Sequence, residues 1–356
     1  MVTFGIDPHK RTHTVAAVDG LGRALGQMTV KQTTSAANLA LLRWAERFGP
    51  DRQWAVEDCR RWSRRLEGDL LRAGERVRRV PPKLMAHARD ADRSYGKSDP
   101  IDAVAVARAA LRHPDLPAAH LDGPTRRLRL LVDHREDLVN ERTRGINRLR
   151  EHLHELDAEW DPPTQALRRL CQLDAIITRL AAIEAASVDS IEGVVARIAG
   201  EIAGRVRQLT VAETALEREI SSLVAPLAEN LLGVVGVGAL TAAKILGEVA
   251  DITRFRDANA FARHTGTAPV PASSGGTQRH RLARTGNRQL NSALHRVALT
   301  QARCHPPARA YRARRHANGD SPTEATRALK RRLSDVIYRA LHADAHLPAT
   351  PIPQAA

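Results

Sequence analysis

The sequence predicts a mixed α/β domain at the N-terminal end, followed by two regions built only from helices. Three observations carry this. Apolar runs of four to eight residues alternate with helical stretches up to about residue 115. No good strand occurs between 124 and 228, where leucines recur at helical spacing. From 229 the chain stays helical but turns strongly basic.

Val2–Ile6 is a short apolar strand. Thr12–Asp19 and Arg23–Val30 flank Gly20-Leu21-Gly22, a hairpin signal. Ala36–Phe48 is helical, Gln53–Val56 is a brief strand ending at Glu57, and Trp62–Ala73 is helical again. Arg76–Val80 is a strand stopped by Pro81 and Pro82. Asp99–Leu111 is a helix with Pro100 suitably placed in its first turn. Strand plus hairpin, helix, strand, helix, strand, helix matches the ribonuclease-H-like arrangement, although other mixed-sheet domains share it.

In the middle region Leu131, Leu138, Leu149, Leu153 and Leu156 form one stripe that ends near Trp160 and Pro163. Ile202, Val206, Leu209, Leu216, Ile220 and Leu223 form a second, with Glu213 where an apolar residue is due. This near-heptad rhythm predicts two long helices paired as a coiled coil or bundle, with an expected role in joining subunits. Beyond it come the turn Gly233–Gly238, an apolar helix Ala239–Val249, a small-residue loop Pro269–Gly276, and basic helices Thr285–Arg303 and Thr323–Leu341. The tail from Leu347 has the composition of a disordered segment. The expected division is 1–115, 124–228, 229–345 and a tail 346–356.

The chain of 356 residues carries 55 Arg and Lys against 40 Asp and Glu, a formal charge of +15. Arginine dominates the basic set, a bias that a GC-rich genome produces as readily as phosphate binding does, so position must decide. Between Gly275 and Ala345 there are 15 Arg and Lys and only 4 Asp and Glu, which places most of the surplus near the C-terminal end and favours an anionic partner. Aromatic residues make up 3%, which argues against stacking platforms for single-stranded bases. Cys59, Cys171 and Cys304 are widely spaced and form no CxxC pair, so neither a disulfide framework nor a structural zinc site is expected. The most apolar stretch, Leu231–Ala250, contains Lys244, Glu248 and four glycines, which speaks against a membrane span. With no signal-peptide pattern, the expectation is a soluble cytoplasmic protein.

Four carboxylates stand out. Asp7 follows the first strand, Glu57 ends the fourth, and Asp99 and Asp102 share one helix face. Should the fold bring them together, their mutual repulsion demands protons or cations, and hard oxygen ligands suit magnesium or manganese. His9 and His13 stand near Asp7, but with no cysteine or further carboxylate at ligand spacing they are left out of the metal set. The glycine-rich turn ending at Gly236 and Gly238, with Lys244 beyond it, fits a helix-hairpin-helix gripping a DNA phosphate, and fits tight helix packing equally well. It is no Walker loop, lacking Gly-Lys-Ser/Thr. Ser273 and Ser274, beside two glycines, lie within a few residues of Arg279, His280, Arg281, Arg284 and Arg288. Alone, such a loop is a flexible linker. Its arginines suggest DNA binding rather than catalysis.

Taken together, Gly5-Ile6-Asp7-Pro8-His9-Lys10, Val56-Glu57, Lys97-Ser98-Asp99-Pro100-Ile101-Asp102, Gly233–Gly238, and Pro271–Gly276 with Thr285-Gly286-Asn287 resemble, in this order, the DEDD transposases of the insertion-sequence one-ten family, relatives of the Piv DNA invertases. The resemblance covers roughly residues 1–345. It implies a RuvC-like N-terminal domain whose Asp7, Glu57, Asp99 and Asp102 bind Mg2+ or Mn2+, and an all-α C-terminal transposase domain. In that domain a serine, Ser274 in preference to Ser273, forms a covalent intermediate with DNA. It further implies donor and target DNA as substrates, a structured bridge RNA as guide, and assembly into a dimer or tetramer. Two other readings share parts of the evidence. A RuvC-like metal-dependent nuclease or resolvase needs the acids but no serine. A non-catalytic DNA- or RNA-binding protein needs neither.

Overall fold

The computed structural model describes residues 1–57, 62–81, 84–85, 98–114, 116, 118–119, 121, 123–271, 280–281 and 286–346. The chain divides into two compact units. One comprises Met1–Gly123, Ala250–Leu294 and Tyr311–Tyr338; the other Pro124–Val249, His295–Ala310 and Arg339–Ala356.

In the first unit β1 (Val2–Pro8), β2 (His13–Val18), β3 (Ala24–Val30), β4 (Arg52–Glu57) and β5 (Val77–Val80) form a five-stranded sheet in the order β3-β2-β1-β4-β5. The three left-hand strands are antiparallel, and β4 and β5 run parallel to β1. This is the ribonuclease-H-like order expected from the sequence. The β2–β3 turn closes through Asp19, whose Oδ1 accepts from the backbone N–H groups of Leu21 and Arg23, both at 2.9 Å. Gly22 takes the left-handed φ of 79° that this turn requires.

Alternation along the strands separates two cores. Phe4, Ile6, Trp54 and Val56 point to one face, where α1 (Ser35–Glu46) supplies Leu41, Leu42 and Ala45 and α2 (Arg64–Arg72) supplies Leu66 and Leu70. Phe4 stacks on Trp54 at 4.6 Å and meets Trp44 and Phe48 edge-on, so four of the scarce aromatics serve one apolar layer. Thr34 caps α1 by accepting from the Ala37 N–H.

On the opposite face lies α3 (Asp99–Arg112), whose Ala105, Val106, Ala109 and Ala110 pack with Ala55 and Val80. Here the approach is unusually close. A Cβ added to Gly5 would stand 2.0 Å from the Ala103 carbonyl oxygen and 2.5 Å from the Ala107 nitrogen. Only glycine permits this contact between strand and helix.

In the second unit α4 (Pro124–Leu156) and α6 (Ile191–Val224) are the two long helices, 33 and 34 residues, and α5 (Leu170–Ala186) joins them. Ile146, Leu149 and Leu153 of α4, Leu173, Ile176 and Leu180 of α5, and Ala196, Ala199, Ala203 and Val206 of α6 form one core. The seam on α6 thus runs through alanines as well as through the bulky residues that the sequence rhythm picks out. Ile202, Leu216 and Leu223 are only half-buried. Glu213 does occupy a buried seam position, and it is paired with Arg142 of α4 and, at 2.6 Å, with Arg135. The short α7 (Glu229–Leu232) leads through the Gly233–Gly238 turn into α8 (Ala239–Val249), which packs on α4 through Gly247; a Cβ there would lie 2.9 Å from the Arg129 Cα.

The remaining elements are α9 (Ala258–His264), the two-residue strands β6 (Val270–Pro271) and β7 (His280–Arg281), α10 (Arg288–Cys304), α11 (Pro306–Ala317) and α12 (Pro322–Ala345). The ribbon β6–β7 and helix α11 were not anticipated: two residues are too few for a periodic signal, and α11 is masked by its Arg-rich composition. No described helix is long and apolar enough to cross a membrane.

Two substitutions test this packing. Gly5→Ala forces Ala103 and α3 away from β1 and lowers stability by about 1–3 kcal/mol or more, read by urea denaturation. Glu213→Ala strands the buried Arg142 guanidinium and costs about 3–5 kcal/mol, whereas replacing Glu213 and Arg142 together by leucine and methionine restores most of that loss.

Candidate active site

The period-two alternation of the sheet decides where the acids go. Asp7 is two residues beyond Gly5 on β1, and Glu57 two beyond Ala55 on β4, so both sit on the face covered by α3. Parallel pairing of Ile6 with Val56 sets these two strand ends side by side. The first turn of α3 contributes Asp99 and Asp102 to the same place, because the Gly5 contact draws this helix onto β1. The four acids picked out in the sequence therefore converge.

Asp7 is the most buried member, 4% exposed, and its Oδ2 has no hydrogen-bond partner among the described residues. Burial pushes its pKa up to about 6; His9 opposes this, while Asp102, Glu57 and Asp99 push it further upward. Asp102 is also buried, whereas Asp99 is half-exposed. The acids also lie at the positive end of α3, whose first-turn amides favour negative charge there. A buried carboxylate oxygen with no partner among the described residues, near Asp99 and within electrostatic reach of Asp102 and Glu57, fits a divalent cation bound through oxygen.

His9 belongs to this group, contrary to the sequence reading that set it aside. Its Nδ1 is 3.7 Å from Asp7 Oδ1 and its Nε2 is 3.4 Å from Asp99 Oδ1. Desolvation works to lower its pKa, but Asp7 and Asp99 outweigh it and the net direction is upward. Only half of the signal is local. His9 stands two residues after Asp7, and Asp99, remote in sequence, is the carboxylate that the linear spacing lacked. His13, by contrast, is fully buried on β2 and held toward the neutral form by desolvation.

The other candidate residues are distributed differently. Ser273, Ser274, Arg279 and Arg284 lie outside the described residues. The backbone on either side of the serine segment is paired, Pro271 with His280 and Val270 with Arg281. Arg288 is exposed at the start of α10, where Asn287 caps the helix by accepting from the N–H groups of Gln289 and Leu290. Gly286 abuts Gly266 so closely that an added Cβ would stand 2.3 Å from its nitrogen. Gly236 adopts φ 87° in the turn before α8, backed by Thr300, and around Gly238 there is open space. Lys244 is a correction. Instead of facing a phosphate it is buried, its Nζ donating to Glu136 at 2.9 Å and Asp133 at 3.2 Å on α4. The small residues around it let α8 approach α4 so closely that the ammonium is enclosed.

Fold and site define the class: a ribonuclease-H-like domain bearing a carboxylate centre suited to divalent cations. Two family models match the chain, that of the DEDD transposases of IS110 over residues 4–157 and that of the IS116/IS110/IS902 transposases over residues 228–313. The chain belongs to this family of insertion-element transposases, which are DNA-processing enzymes. It is 29% identical over 397 residues to the 44.8 kDa protein of insertion element IS116 from Streptomyces clavuligerus, covering 100% of this chain and 98% of that protein. It is 27% identical over 393 residues to the 42 kDa protein of IS900 from Mycobacterium paratuberculosis, covering 98% of each. Among solved structures, Thermus thermophilus RuvC bound to a Holliday junction aligns with 19% identity over 33% of this chain and 99% of its own, at a TM-score of 0.27.

The raised Asp7 pKa yields a pH prediction. Its neutral form favours folding below about pH 4, and that contribution is lost as pH rises through about 6. In metal-free protein Asp7→Asn therefore raises the melting temperature at pH 7.5, and this gain disappears below pH 4. Adding Mg2+ or Mn2+ at pH 7.5 stabilises the wild type but not the variant.

Proposed function

We propose that this transposase cuts, exchanges and rejoins donor and target DNA through a covalent serine–DNA intermediate, with a structured bridge RNA selecting the sites. What carries the reading is the convergence of Asp7, Glu57, Asp99 and Asp102 at the C-terminal ends of the inner strands β1 and β4, in a chain that also holds the Ser273-Ser274-Gly275-Gly276 segment. Asp7, Glu57, Asp99 and Asp102 would hold Mg2+ or Mn2+, which when bound would neutralise charge at phosphate oxygens.

Ser274, with Ser273 as the alternative, attacks phosphorus through its Oγ. The new Oγ–P bond forms as the bond from phosphorus to a deoxyribose oxygen breaks; the serine proton is lost and the departing oxygen gains one. A strand hydroxyl later reverses the step on a different partner. Phosphodiester energy is conserved in the serine ester, so rejoining needs no ATP, in keeping with a sequence that has no Walker loop. The exposed Arg288, together with Arg279, Arg281 and Arg284, supplies the cations for the phosphate backbone, and Gly236 and Gly238 belong to a helix-hairpin-helix that grips it without reading bases.

Delegating sequence choice to RNA base pairing suits a chain rich in arginine and poor in aromatics. The functional division is 1–115 for the acidic centre, 124–228 for assembly into a dimer or tetramer through the long helices, and 229–345 for the serine domain. The site of action is the cytoplasmic nucleoid.

The test is adduct trapping on a DNA substrate carrying the element ends. Ser274→Ala abolishes the covalent protein–DNA species while Ser273→Ala retains it, and Asp7→Asn abolishes both adduct and rejoining. An adduct persisting in Ser274→Ala transfers the role to Ser273. Free cut ends with no adduct in wild type would replace the proposal with a hydrolytic nuclease.

A further inference from the structure

Resting on the reading of the acidic centre as a divalent-cation site, we infer that His9 is a nitrogen ligand to the ion, giving the site a preference for Mn2+ over Mg2+. Asp7, His9 and Asp99 each offer one ligand atom, and these three atoms lie within 4.8 Å of one another. Ligands about 2.1 Å from a common octahedral ion stand roughly 3–4.2 Å apart. The contacts of His9 with Asp7 and Asp99, 3.7 and 3.4 Å, fall in that interval and exceed a charge-assisted hydrogen bond of about 2.7–2.9 Å.

The second observation is the Asp7 Oδ2 atom, buried in the cluster with no hydrogen-bond partner among the described residues. A histidine serving only as a counter-cation would be expected to close onto such an oxygen. Instead the ring contacts Asp99 Oδ1 and, more distantly, Asp7 Oδ1, leaving Asp7 Oδ2 aside, with its side chain 47% exposed.

The chemistry then sets the preference. Mg2+ demands oxygen donors and dehydrates reluctantly, so an imidazole in its first coordination sphere is a poor exchange for water. Mn2+ accepts carboxylate and imidazole together. A site built only from Asp7, Glu57, Asp99 and Asp102 has no such basis for discrimination. One histidine two residues from the central aspartate introduces it.

Pulsed and continuous-wave electron paramagnetic resonance of Mn2+ bound to the full-length protein tests this without any turnover. The expected result is a 14N coupling on the bound Mn2+ of the wild type, lost in His9→Ala. Mn2+ affinity in that variant falls roughly ten- to a hundred-fold, while Mg2+ affinity, read by competition, changes less than threefold. Mn2+ bound with no nitrogen coupling in the wild type, or bound as tightly by His9→Ala, overturns the role of His9 but leaves the acidic site intact. If Asp7→Asn does not weaken Mn2+ binding, or the wild type binds none, the acidic site itself fails, and the inference with it. Because the coupling is read on wild-type protein, a folding defect in a variant cannot rescue the idea.

Discussion

The contact of Gly5 with the backbone of Ala103 and Ala107 governs the N-terminal unit. A helix normally rides on a sheet with side chains between them. Here a strand without a Cβ lets α3 come down directly onto β1. Because Asp99 and Asp102 occupy the first turn of that helix, the height at which α3 rests determines how near their oxygens come to Asp7. The small residues Ala55, Ala103, Ala105, Ala107 and Ala109 extend this close layer, whereas the other face of the sheet is filled by Phe4, Trp54, Leu41 and Leu66. One face is built for bulk and the other for proximity. The cost of burying Asp7, to which Asp102, Glu57 and Asp99 add, is borne by this packing, and it shows in the upward pKa of Asp7.

Much of the N-terminal unit was legible because its signals are local. Strand alternation, the Gly20–Gly22 turn and Pro100 in the first turn of α3 each act within a few residues. The acids could be named from their positions at element ends, since strand ends and helix starts are where such a sheet exposes chemistry. His9 was not legible in the same way. Its case depends on Asp99, about ninety residues away, and no spacing rule reaches that far. Lys244 shows the opposite error. Its place after a glycine turn suggested a phosphate contact, yet small residues that would free a backbone for DNA served to seat α8 on α4, where Asp133 and Glu136 enclose the ammonium.

The helical unit balances apolar and ionic determinants. The alanines of α6 allow close packing, but alanine is nearly featureless and would tolerate a slip along the helix. Glu213, flanked by Arg135 and Arg142, is a polar mark on that seam. Such a buried pair adds little net stability while penalising every other alignment, so it favours one register of two long helices.

The pairing of Pro271 with His280 has a geometric consequence for any reaction at the serine segment. Ser274 is tied to Pro271 by three peptide links, and a fully stretched chain gains about 3.6 Å per link. The Cα of that serine therefore stays within roughly 11 Å of the ribbon's end whatever path the segment takes. On the proposed reading of this serine as nucleophile, the scissile phosphate comes within that distance of the ribbon.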